Sequence, residues 1–415
     1  MTTLQPLGES ARPRRRPSEE ARKKVILDCA AALFDERGYS GTTTQDIADA
    51  AHITKRTLYR YMPSKEDILF EIHSRFIDDR VVTDSEVTGD EVERVVALLR
   101  GHIRVAIEHR EEIRVFFDEM KHLSGAKRRE ISAKRDAYEQ RFVRALREGA
   151  ASGRLEVPDP PLTARLILGG LTEVYRWYRP GGDLSEDEVI DALSHFALRG
   201  IAPHGYTLDL GAHQVPRVRT PEDILGRPLA QIWTTATELL SSQGYQRTTT
   251  QELAEIAGVT KGALFYRLGH KEGALDLVHS TAADEAVRLV TSLPKDGMPA
   301  ADVIALLART HCAWLAVYRR ASAVASEETK YLAPEHLRAM RRRQDEYSQP
   351  FREALIRGEH RDEFSFGDVR LATAWLLGVL NSIYRWYQPG PGRLEPDEIG
   401  IAVAELVLGG TERRD

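Results

Sequence analysis

The amino-acid sequence contains two copies of one 28-residue segment, and this repeat limits the possible folds more than any other feature. The segment TTTQDIADAAHITKRTLYRYMPSKEDIL, Thr42–Leu69, returns 206 residues later as TTTQELAEIAGVTKGALFYRLGHKEGAL, Thr248–Leu275, with 12 identities. A second match pairs YRWYRPGG from Tyr175 with YRWYQPGP from Tyr384, at an offset of 209 residues. Because the offset changes by only three residues, we interpret the sequence as the duplication of a whole unit.

Composition is that of a globular chain. A length of 415 residues predicts two to three domains. A content of 42% hydrophobic and 29% charged residues is typical of a globular protein. Apolar runs such as ARLILGGL are shorter than a membrane helix, and the amino terminus has no apolar core of a secretory signal. Cys29 and Cys312 lie in helical patterns and do not indicate a disulfide framework. We therefore expect a cytoplasmic protein without membrane contact.

Both halves show helical periodicity, and no run of residues shows sustained strand alternation. In the first half, Ser18 is the predicted N-cap of a helix that ends at Gly38. In the second half, Thr220 and Pro221 open the corresponding helix and Gly244 ends it. The sequence predicts an all-α fold.

A segment rich in proline, glycine and histidine, IAPHGYTLDLGAHQVPRVRT, separates the two halves. It has no helical periodicity and is predicted to be a linker, residues 201–220. Fully extended, such a segment spans roughly 65–70 Å. The two halves can therefore lie side by side.

Each repeated segment contains two short helices joined by a tight turn. In the first copy, TTQDIADAA predicts a helix with Thr43 or Thr44 as N-cap, HIT is the turn, and KRTLYRYM is the second helix. Small side chains at Ala48 and Ala51 allow the two helices to approach closely. This is the geometry of a helix-turn-helix, whose second helix enters the major groove of DNA.

The predicted DNA contacts are hydroxyl, aromatic and cationic side chains on or beside each second helix. In the first copy they are Thr43, Thr44, Thr54, Lys55, Arg56, Thr57, Tyr59, Arg60, Tyr61 and Lys65. In the second copy they are Thr249, Thr250, Thr260, Lys261, Tyr266, Arg267 and Lys271. Hydroxyls and cations bind phosphates, and arginine and threonine can reach base edges. Lys65 stands in a first helical turn, where the helix dipole disfavours a cation, so a nearby phosphate would explain its presence.

These residues resemble the DNA-binding region of the tetracycline-repressor (TetR) family of bacterial transcriptional regulators. The resemblance rests on a threonine-initiated helix, a turn, a TLY or ALF helix, and P/G-S-K-E followed by leucine; Thr248–Leu275 meets it less cleanly than Thr42–Leu69. It implies that each half continues into a larger helical domain, which holds a ligand and makes the dimer. The implied segments are a basic disordered arm (1–17), the first helix-turn-helix domain (18–82) and ligand domain (83–200), the linker, and the second pair of domains (221–293 and 294–412).

Positive charge is concentrated near the amino terminus, although the whole chain has a net charge of −5. Between Ala11 and Lys24 there are seven Lys/Arg and two Glu. A solvated tail is one interpretation of this segment. The other is an arm that reaches DNA flanking the site, by analogy with arms that enter the minor groove.

Members of this family act as homodimers, so the resemblance implies that the two halves pair within one chain. The last helices of each half are expected to form an internal four-helix bundle: Thr163–Arg179 with Ser185–Leu198, and Ala372–Gln388 with Pro396–Leu408. We predict a monomeric pseudo-dimer. Association of two chains stays open.

A fused pair need not read a palindrome, and the two recognition helices differ. TKRTLYRY in the first copy corresponds to TKGALFYR in the second, where Gly262 replaces Arg56 and Tyr266 replaces Arg60. Ala263 also replaces Thr57, so the second copy loses a cation and a hydroxyl where base readout would occur. We predict an asymmetric or imperfectly palindromic operator in double-stranded DNA, with one half-site bound more strongly.

The resemblance also implies a ligand-operated switch, in which a small hydrophobic effector enters the larger domain and releases DNA. The ending YRWYRPGG resembles that of members which sense acyl-CoA, so an acyl-CoA is a candidate. The candidate pocket residues are Ile103, Ile107, Phe116, Phe117, Tyr138, Phe142 and Trp177 in the first half, and Trp314, Tyr318, Tyr347, Phe351, Asn381 and Trp386 in the second. Plain core packing is the alternative for each of them.

Metal and catalytic sites have little support in the sequence. His102 and His109 share a helix face, but no carboxylate or cysteine completes a ligand set. There is no G-x-S-x-G nucleophile motif and no glycine-rich phosphate loop after a strand. We expect no metal, no cofactor and no enzymatic activity. The competing hypothesis is a helical small-molecule-binding module with degraded DNA binding in the second half, which the salt dependence of DNA binding would separate from a regulator.

Overall fold

The computed structural model describes residues 18–78, 89–200, 208 and 213–410. In these residues the chain is helical and contains no strand, which confirms the prediction of an all-α fold. The predicted basic arm, residues 1–17, lies outside the described residues, as does most of the predicted linker.

The two halves follow the same order of helical segments, although some segments are divided into helices at different places. The first half consists of α1 (Glu19–Gly41), α2 (Thr44–Ala50), α3 (Lys55–Tyr61), α4 (Lys65–Asp78), α5 (Glu91–Glu108), α6 (Arg110–Glu119), α7 (Gly125–Ala151), α8 (Pro160–Thr172), α9 (Val174–Trp177) and α10 (Glu186–Arg199). The second half consists of α11 (Pro221–Leu225), α12 (Arg227–Gln243), α13 (Thr250–Ile256), α14 (Lys261–Leu268), α15 (Lys271–Thr291), α16 (Ala300–Glu327), α17 (Pro334–His360), α18 (Val369–Ser382) and α19 (Pro396–Gly409).

The opening helix of each half is interrupted by a glycine with positive φ. Gly38, with φ 75°, breaks α1 at the residue where the sequence predicts its end. In the second half the predicted helix from Thr220 to Gly244 is divided by Gly226, with φ 71°, into α11 and α12. Glycine adopts this conformation without the strain that other residues incur.

The end of the predicted linker is fixed to the second half. The Arg219 backbone N–H and its Nε donate to Oε1 and Oε2 of Glu285, each at 2.8 Å. Glu285 is fully buried and also accepts from Arg288. These bonds attach the entry of α11 to α15.

The two halves pack together through their last helices. Helices α8 and α10 contact α18 and α19, which is the internal four-helix bundle that the sequence predicts. Glycines allow the close approach: a Cβ on Gly170 would lie 2.6 Å from Cγ2 of Val379 and 2.9 Å from Trp375. A Cβ on Gly378 would likewise lie 2.9 Å from the Gly170 carbonyl oxygen. The chain is a pseudo-dimer within one polypeptide.

A reciprocal pair of ion pairs crosses the same interface. Lys121 of the first half pairs with Glu328 of the second, and Lys330 of the second pairs with Glu119 of the first at 3.0 Å. The two lysines and the two glutamates are each 209 residues apart, the offset of the repeat. Exchange of equivalent partners is the property of a two-fold interface.

One helix, α16, is long and apolar enough to cross a membrane by length and composition alone. In the structure, 72% of its most apolar window is buried, packed against α15, α17 and α19. Inspection of short apolar runs overlooks this helix because Arg309 and His311 interrupt it. Its hydropathy is accounted for by its place at the centre of the second half.

Candidate DNA-binding and effector sites

The first helix-turn-helix is held by side-chain caps. Thr43 is the N-cap of α2 and forms a capping box with Asp46, so it, rather than Thr44, begins the helix. Thr54 caps α3 and accepts a hydrogen bond from the Thr57 backbone N–H at 3.1 Å. Leu58 is fully buried between the helices. Caps of this kind each stabilise a helix by about 1 kcal/mol.

The exposed face of α3 carries most of the predicted DNA contacts. Of the predicted residues, Thr43, Thr54, Lys55, Arg56, Tyr59 and Arg60 are exposed, whereas Thr44, Thr57, Tyr61 and Lys65 are half-buried. Arg60 lies over the Tyr61 ring at 5.0 Å and donates to its hydroxyl at 3.1 Å. Within the described residues no carboxylate pairs with Lys55 or Arg56. These two cations are available to DNA.

The second motif has the same caps but a different surface. Thr249 and Thr260 accept from backbone N–H groups at 3.1 Å and begin α13 and α14. Lys261 and Arg267 are exposed and Thr250 is half-buried. Beside them Phe265 is 62% and Tyr266 91% exposed. Tyr266 stands at the position of Arg60 in the first motif, and Phe265 stands at that of Tyr59.

The lysine after each motif has a structural partner. Lys65 Nζ donates to the carbonyl oxygens of Tyr39 and Thr42, both at 2.8 Å, and lies 4.2 Å from the Tyr39 ring. Lys271 donates to the Tyr245 carbonyl oxygen at 2.9 Å in the second half. Burial lowers the pKa of both lysines. Carbonyl groups at the end of α1, rather than a phosphate, explain the position of Lys65; its contact with DNA stays a prediction.

The two helix-turn-helix domains meet near the end of their opening helices. Gln246 Nε2 donates to the Arg37 carbonyl oxygen at 3.0 Å, and the Tyr331 hydroxyl donates to the same oxygen at 3.3 Å. A Cβ on Gly38 would collide with that hydroxyl. The placement of one recognition helix relative to the other is thus set by direct contacts across the pseudo-dimer.

A cavity of about 820 Å³ lies in the larger domain of the second half and extends to the first half. Helices α15, α16, α17 and α18 contribute most of its lining, including Ala282, Trp314, Leu315, Ser326, Tyr347, Leu377 and Asn381. The first half contributes Asp35, Arg114, Asp118, Glu173, Arg176 and Trp177. Its size is in the range of small-molecule sites.

The structure brings four of the predicted pocket residues to this cavity: Trp177, Trp314, Tyr347 and Asn381. Ile103, Ile107, Phe116, Phe142, Tyr318 and Phe351 are buried in the hydrophobic cores, and Phe117, Tyr138 and Trp386 are partly buried against them. The Tyr318 hydroxyl donates to the Arg219 carbonyl oxygen at 2.8 Å. Core packing, the alternative interpretation, describes the place of these nine residues.

Apart from Trp177, the residues of the first half that line the cavity were not among the predicted ones. The predicted pocket residues are mostly aromatic and lie within one half, whereas Asp118 and Arg176 reach the cavity across the interface. The available signal was a comparison of the halves at the offset of 209, which pairs Phe116 and Phe117 with Ala325 and Ser326. Such a change from large to small side chains indicates additional space at this place in the second half.

Three polar side chains of the cavity have unused hydrogen-bonding capacity. Among the described residues, no group forms a hydrogen bond with Oδ1 of Asp118, with Nε2 of His279 or with the side-chain amide of Asn381. Burial raises the pKa of the Asp118 carboxyl to about 8, against the opposing effect of Lys330. Burial lowers the pKa of His279 to about 4. Burial thus favours the uncharged form of both side chains.

The histidines considered for a metal have other partners. His102 Nδ1 lies 2.9 Å from the Tyr138 hydroxyl and its Nε2 lies 2.9 Å from the Thr172 hydroxyl. His109 pairs with Glu112. Across the described ranges, no group of three or more His, Cys, Asp or Glu could hold a metal ion.

We expect the variant Asp118→Asn to gain stability over the wild type as the pH rises from about 4 to about 8. Over this range the unfolded chain loses the Asp118 proton while the folded chain retains it, so ionisation favours unfolding of the wild type only. Glu119, Glu327, Lys330 and Arg176 face this carboxyl in both proteins. Urea unfolding across this pH range measures the difference. A difference independent of pH would contradict it.

The comparison with known families decides the identity of the two halves. The profile of "Bacterial regulatory proteins, tetR family" matches residues 26–72 and 232–276, and that of "Tetracyclin repressor-like, C-terminal domain" matches residues 88–201 and 297–411. The chain belongs to the TetR family. It contains both TetR domains twice, as the repeat predicts.

Curated TetR relatives match one unit of the chain. The transcriptional repressor KstR2 of Rhodococcus jostii is 31% identical over 192 residues, which is 45% of this chain and 94% of KstR2. KstR2 of Mycolicibacterium smegmatis is 32% identical, with 45% and 93% covered. TetR proteins are transcriptional regulators, not enzymes, and bind DNA operators and small-molecule effectors.

Solved structures likewise cover one unit. AibR in complex with isovaleryl coenzyme A and operator DNA is 30% identical, with 42% of this chain and 96% of AibR covered and a TM-score of 0.39. The ketosteroid transcriptional regulator KstR2 of Mycobacterium tuberculosis is 30% identical, with 41% and 89% covered and a TM-score of 0.38.

Proposed function

We propose that the chain is a cytoplasmic transcriptional repressor that binds an asymmetric or imperfectly palindromic operator through both of its helix-turn-helix motifs and is released by a small hydrophobic effector. The observation that carries the proposal is the pairing of two unlike recognition helices in one pseudo-dimer. The first exposes Lys55, Arg56 and Arg60, and the second exposes Lys261, Tyr266 and Arg267. A two-fold arrangement presents both helices to one side of a duplex.

The two motifs would contribute unequally. Arginine can bond a guanine base edge through two hydrogen bonds, and each such pair contributes about 1–3 kcal/mol of discrimination. Arg56 has no counterpart at Gly262, so α14 depends more on phosphate contacts through Lys261 and Arg267. Phosphate contacts orient a protein on DNA but carry no sequence information. We therefore expect a well-defined first half-site and a degenerate second one.

Repression rather than activation is supported by the relatives. The KstR2 proteins, about 31% identical over a whole unit, are named transcriptional repressors. For the effector, the support is the cavity, which aromatic and aliphatic side chains line around a few polar groups. Such a lining fits a small hydrophobic molecule. An acyl-CoA is one candidate, as isovaleryl coenzyme A is the ligand in the AibR structure.

Selection of binding sites from random duplexes, with the mass of the complex measured on the selected DNA, tests this function. We expect one chain to protect two half-sites of unequal information content. The logarithm of the binding constant should fall linearly with the logarithm of the salt concentration, with a slope of about −0.9 for each phosphate neutralised. If no sequence is enriched, the chain is not a repressor and the hypothesis of a helical small-molecule-binding module replaces it.

A further inference from the structure

We propose that the chain has a single effector site, in the second half, which takes an apolar molecule with an uncharged hydrogen-bonding group such as a carbonyl and acts across the interface on the first helix-turn-helix domain. This inference rests on the proposed function, because it assigns the sensing to one half and the stronger DNA contact to the other.

In the first half, aromatic rings occupy the space that corresponds to the cavity. The Phe76 and Phe116 rings are 5.3 Å apart between centroids, and Phe116 and Phe117 are also 5.3 Å apart. Phe117 stacks on Tyr175 at 6.4 Å. Tyr175 is fully buried and Phe116 is 4% exposed. A continuous row of rings thus fills this region.

In the second half, the equivalent positions carry small side chains that line the cavity. Ala325 and Ser326 stand 209 residues after Phe116 and Phe117, and Ala282 stands 206 residues after Phe76. The register is supported by His73 and His279, both buried and both with a pKa of about 4. Each replacement removes an entire ring. Three adjacent replacements account for an open space in one half only.

The interface closes both regions with equivalent arginines, but on different partners. Arg385 of the second half lies 4.0 Å from the Phe117 ring and pairs with Glu173. Arg176 of the first half reaches Ser326, donating to its hydroxyl at 2.5 Å. Arg385 therefore stacks on a filled region, whereas Arg176 borders the open one. A ligand in the cavity contacts residues of both halves.

The cationic groups that line the cavity are already paired with carboxylates, which favours an uncharged ligand group. Arg176 pairs with Glu173 at 3.0 Å, Lys330 with Glu119 at 3.0 Å, and Arg343 with Asp284 at 2.5 Å. An anion would have to displace one of these carboxylates. The unused hydrogen-bonding capacity of the lining belongs to neutral groups. The exposed Asn381 amide is the most accessible of them.

Asn381 shows how this capacity arises. Its counterpart Thr172 in the first half is committed to His102 at 2.9 Å. In the second half His311 bonds Tyr347 at 2.6 Å and the Leu380 carbonyl oxygen at 3.1 Å, without Asn381. The amide can therefore donate to a ligand carbonyl. A free ketone and the thioester carbonyl of an acyl-CoA share this chemistry.

Helix α6 connects the cavity to the first DNA-binding domain. Asp118, near its carboxyl end, lines the cavity. One turn earlier, Arg114 donates to both carboxylate oxygens of Asp35 in α1, at 2.8 and 2.6 Å. Glu112 accepts from Arg75 of α4 at 2.8 Å. A ligand that displaces α6 therefore pulls on α1 and α4 of the first helix-turn-helix domain.

Binding of the fluorescent apolar amine N-phenyl-1-naphthylamine to the full chain tests the location of the site. We expect one probe molecule to bind per chain. Displacement by 2-undecanone indicates that the ligand carbonyl is that of a free ketone, and displacement by octanoyl-CoA indicates a thioester. Ala325→Phe/Ser326→Phe, which copies the first half into the second, should lose the probe. The reverse change, Phe116→Ala/Phe117→Ser, should add a second site.

Ala282→Phe is the second cavity-filling variant, in case the double variant loses its helical circular dichroism. Two probes per wild-type chain, or probe binding that survives a folded filled variant, would overturn the single-site assignment. Displacement by octanoate but not by the ketone would overturn the uncharged ligand group. DNA selection without probe is scored separately, so a failure of the repressor function is distinguishable from a failure of this site.

The coupling is tested on the selected operator with and without probe. Glu112 lies outside the cavity, so Glu112→Gln should leave the affinity for the probe unchanged. The decrease in first half-site protection that the probe causes should be about 2- to 30-fold smaller in this variant than in the wild type. The matched control is Glu238→Gln, which removes the ion pair of Glu238 with Arg320 between α12 and α16 in the second half. The coupling would be overturned if the probe binds without any change at the first half-site. It would also be overturned if Glu112→Gln and Glu238→Gln have equal effects.

Discussion

Replacement of both arginines in the first recognition helix, Arg56→Ala/Arg60→Ala, is expected to lower affinity for the selected operator by about tenfold or more for each arginine. The corresponding pair in the second half, Lys261→Ala/Arg267→Ala, should cost only a few-fold. The physical reason is that α3 exposes Arg56 and Arg60, which can bond base edges, whereas α14 carries Gly262 and Tyr266 at the equivalent positions. Binding is measured at one salt concentration, since phosphate contacts depend on salt.

The control for these double variants removes the same charge elsewhere. Arg342 and Arg352 are exposed on α17, beyond its first turn, whose His336 bonds Glu272. Arg342→Ala/Arg352→Ala should leave affinity within about twofold, as expected of rim charges. Selection should lose information only at the first half-site in the Arg56/Arg60 variant. Equal losses from both recognition helices would contradict the asymmetric operator.

Addition of a single methyl group at Gly170 is expected to destabilise the pseudo-dimer. The new Cβ would lie 2.6 Å from Val379 and 2.9 Å from Trp375, and neither the β-branched valine nor the buried indole can move away freely. Overpacking of this kind costs about 1–3 kcal/mol in the free energy of unfolding. Urea unfolding of Gly170→Ala measures it.

The matched control for this change is Gly101→Ala. Gly101 is also inside a helix, α5, but a Cβ there would meet no atom within 4 Å. Replacing a helical glycine by alanine should stabilise the protein by about 0.5–1 kcal/mol. The two variants have the same change in helix propensity, so their difference reports the interface. Stabilisation of both would show that α8 and α18 are not in contact as described.

Much of the architecture could be predicted from the sequence because its signals are local or repeated. Thr43, Thr54, Thr249 and Thr260 each stand at a capping position that their own neighbours define. The duplicated units made the paired last helices predictable, since a dimer-forming element present twice has its partner in the same chain.

Other features depend on contacts between residues distant in the sequence. Nothing next to Lys65 shows that its ammonium bonds the carbonyl oxygens of Tyr39 and Thr42. Asp118 is separated by more than 150 residues from Ala282, yet both line one cavity. The cavity exists because small side chains in the second half replace phenylalanines of the first half. Such a replacement can be recognised only when the two halves are aligned and their packing is known.

The attachment of both halves to one polypeptide has a consequence for concentration. Residues 201–220 connect α10 to α11, so each half meets its partner at an effective concentration on the order of millimolar. A dimer of separate chains dissociates when it is diluted, and its DNA occupancy then falls with the square of the protein concentration. In this chain the Lys121–Glu328 and Lys330–Glu119 contacts form within one molecule. A cell with few copies would therefore retain the paired form, and occupancy would follow the first power of concentration.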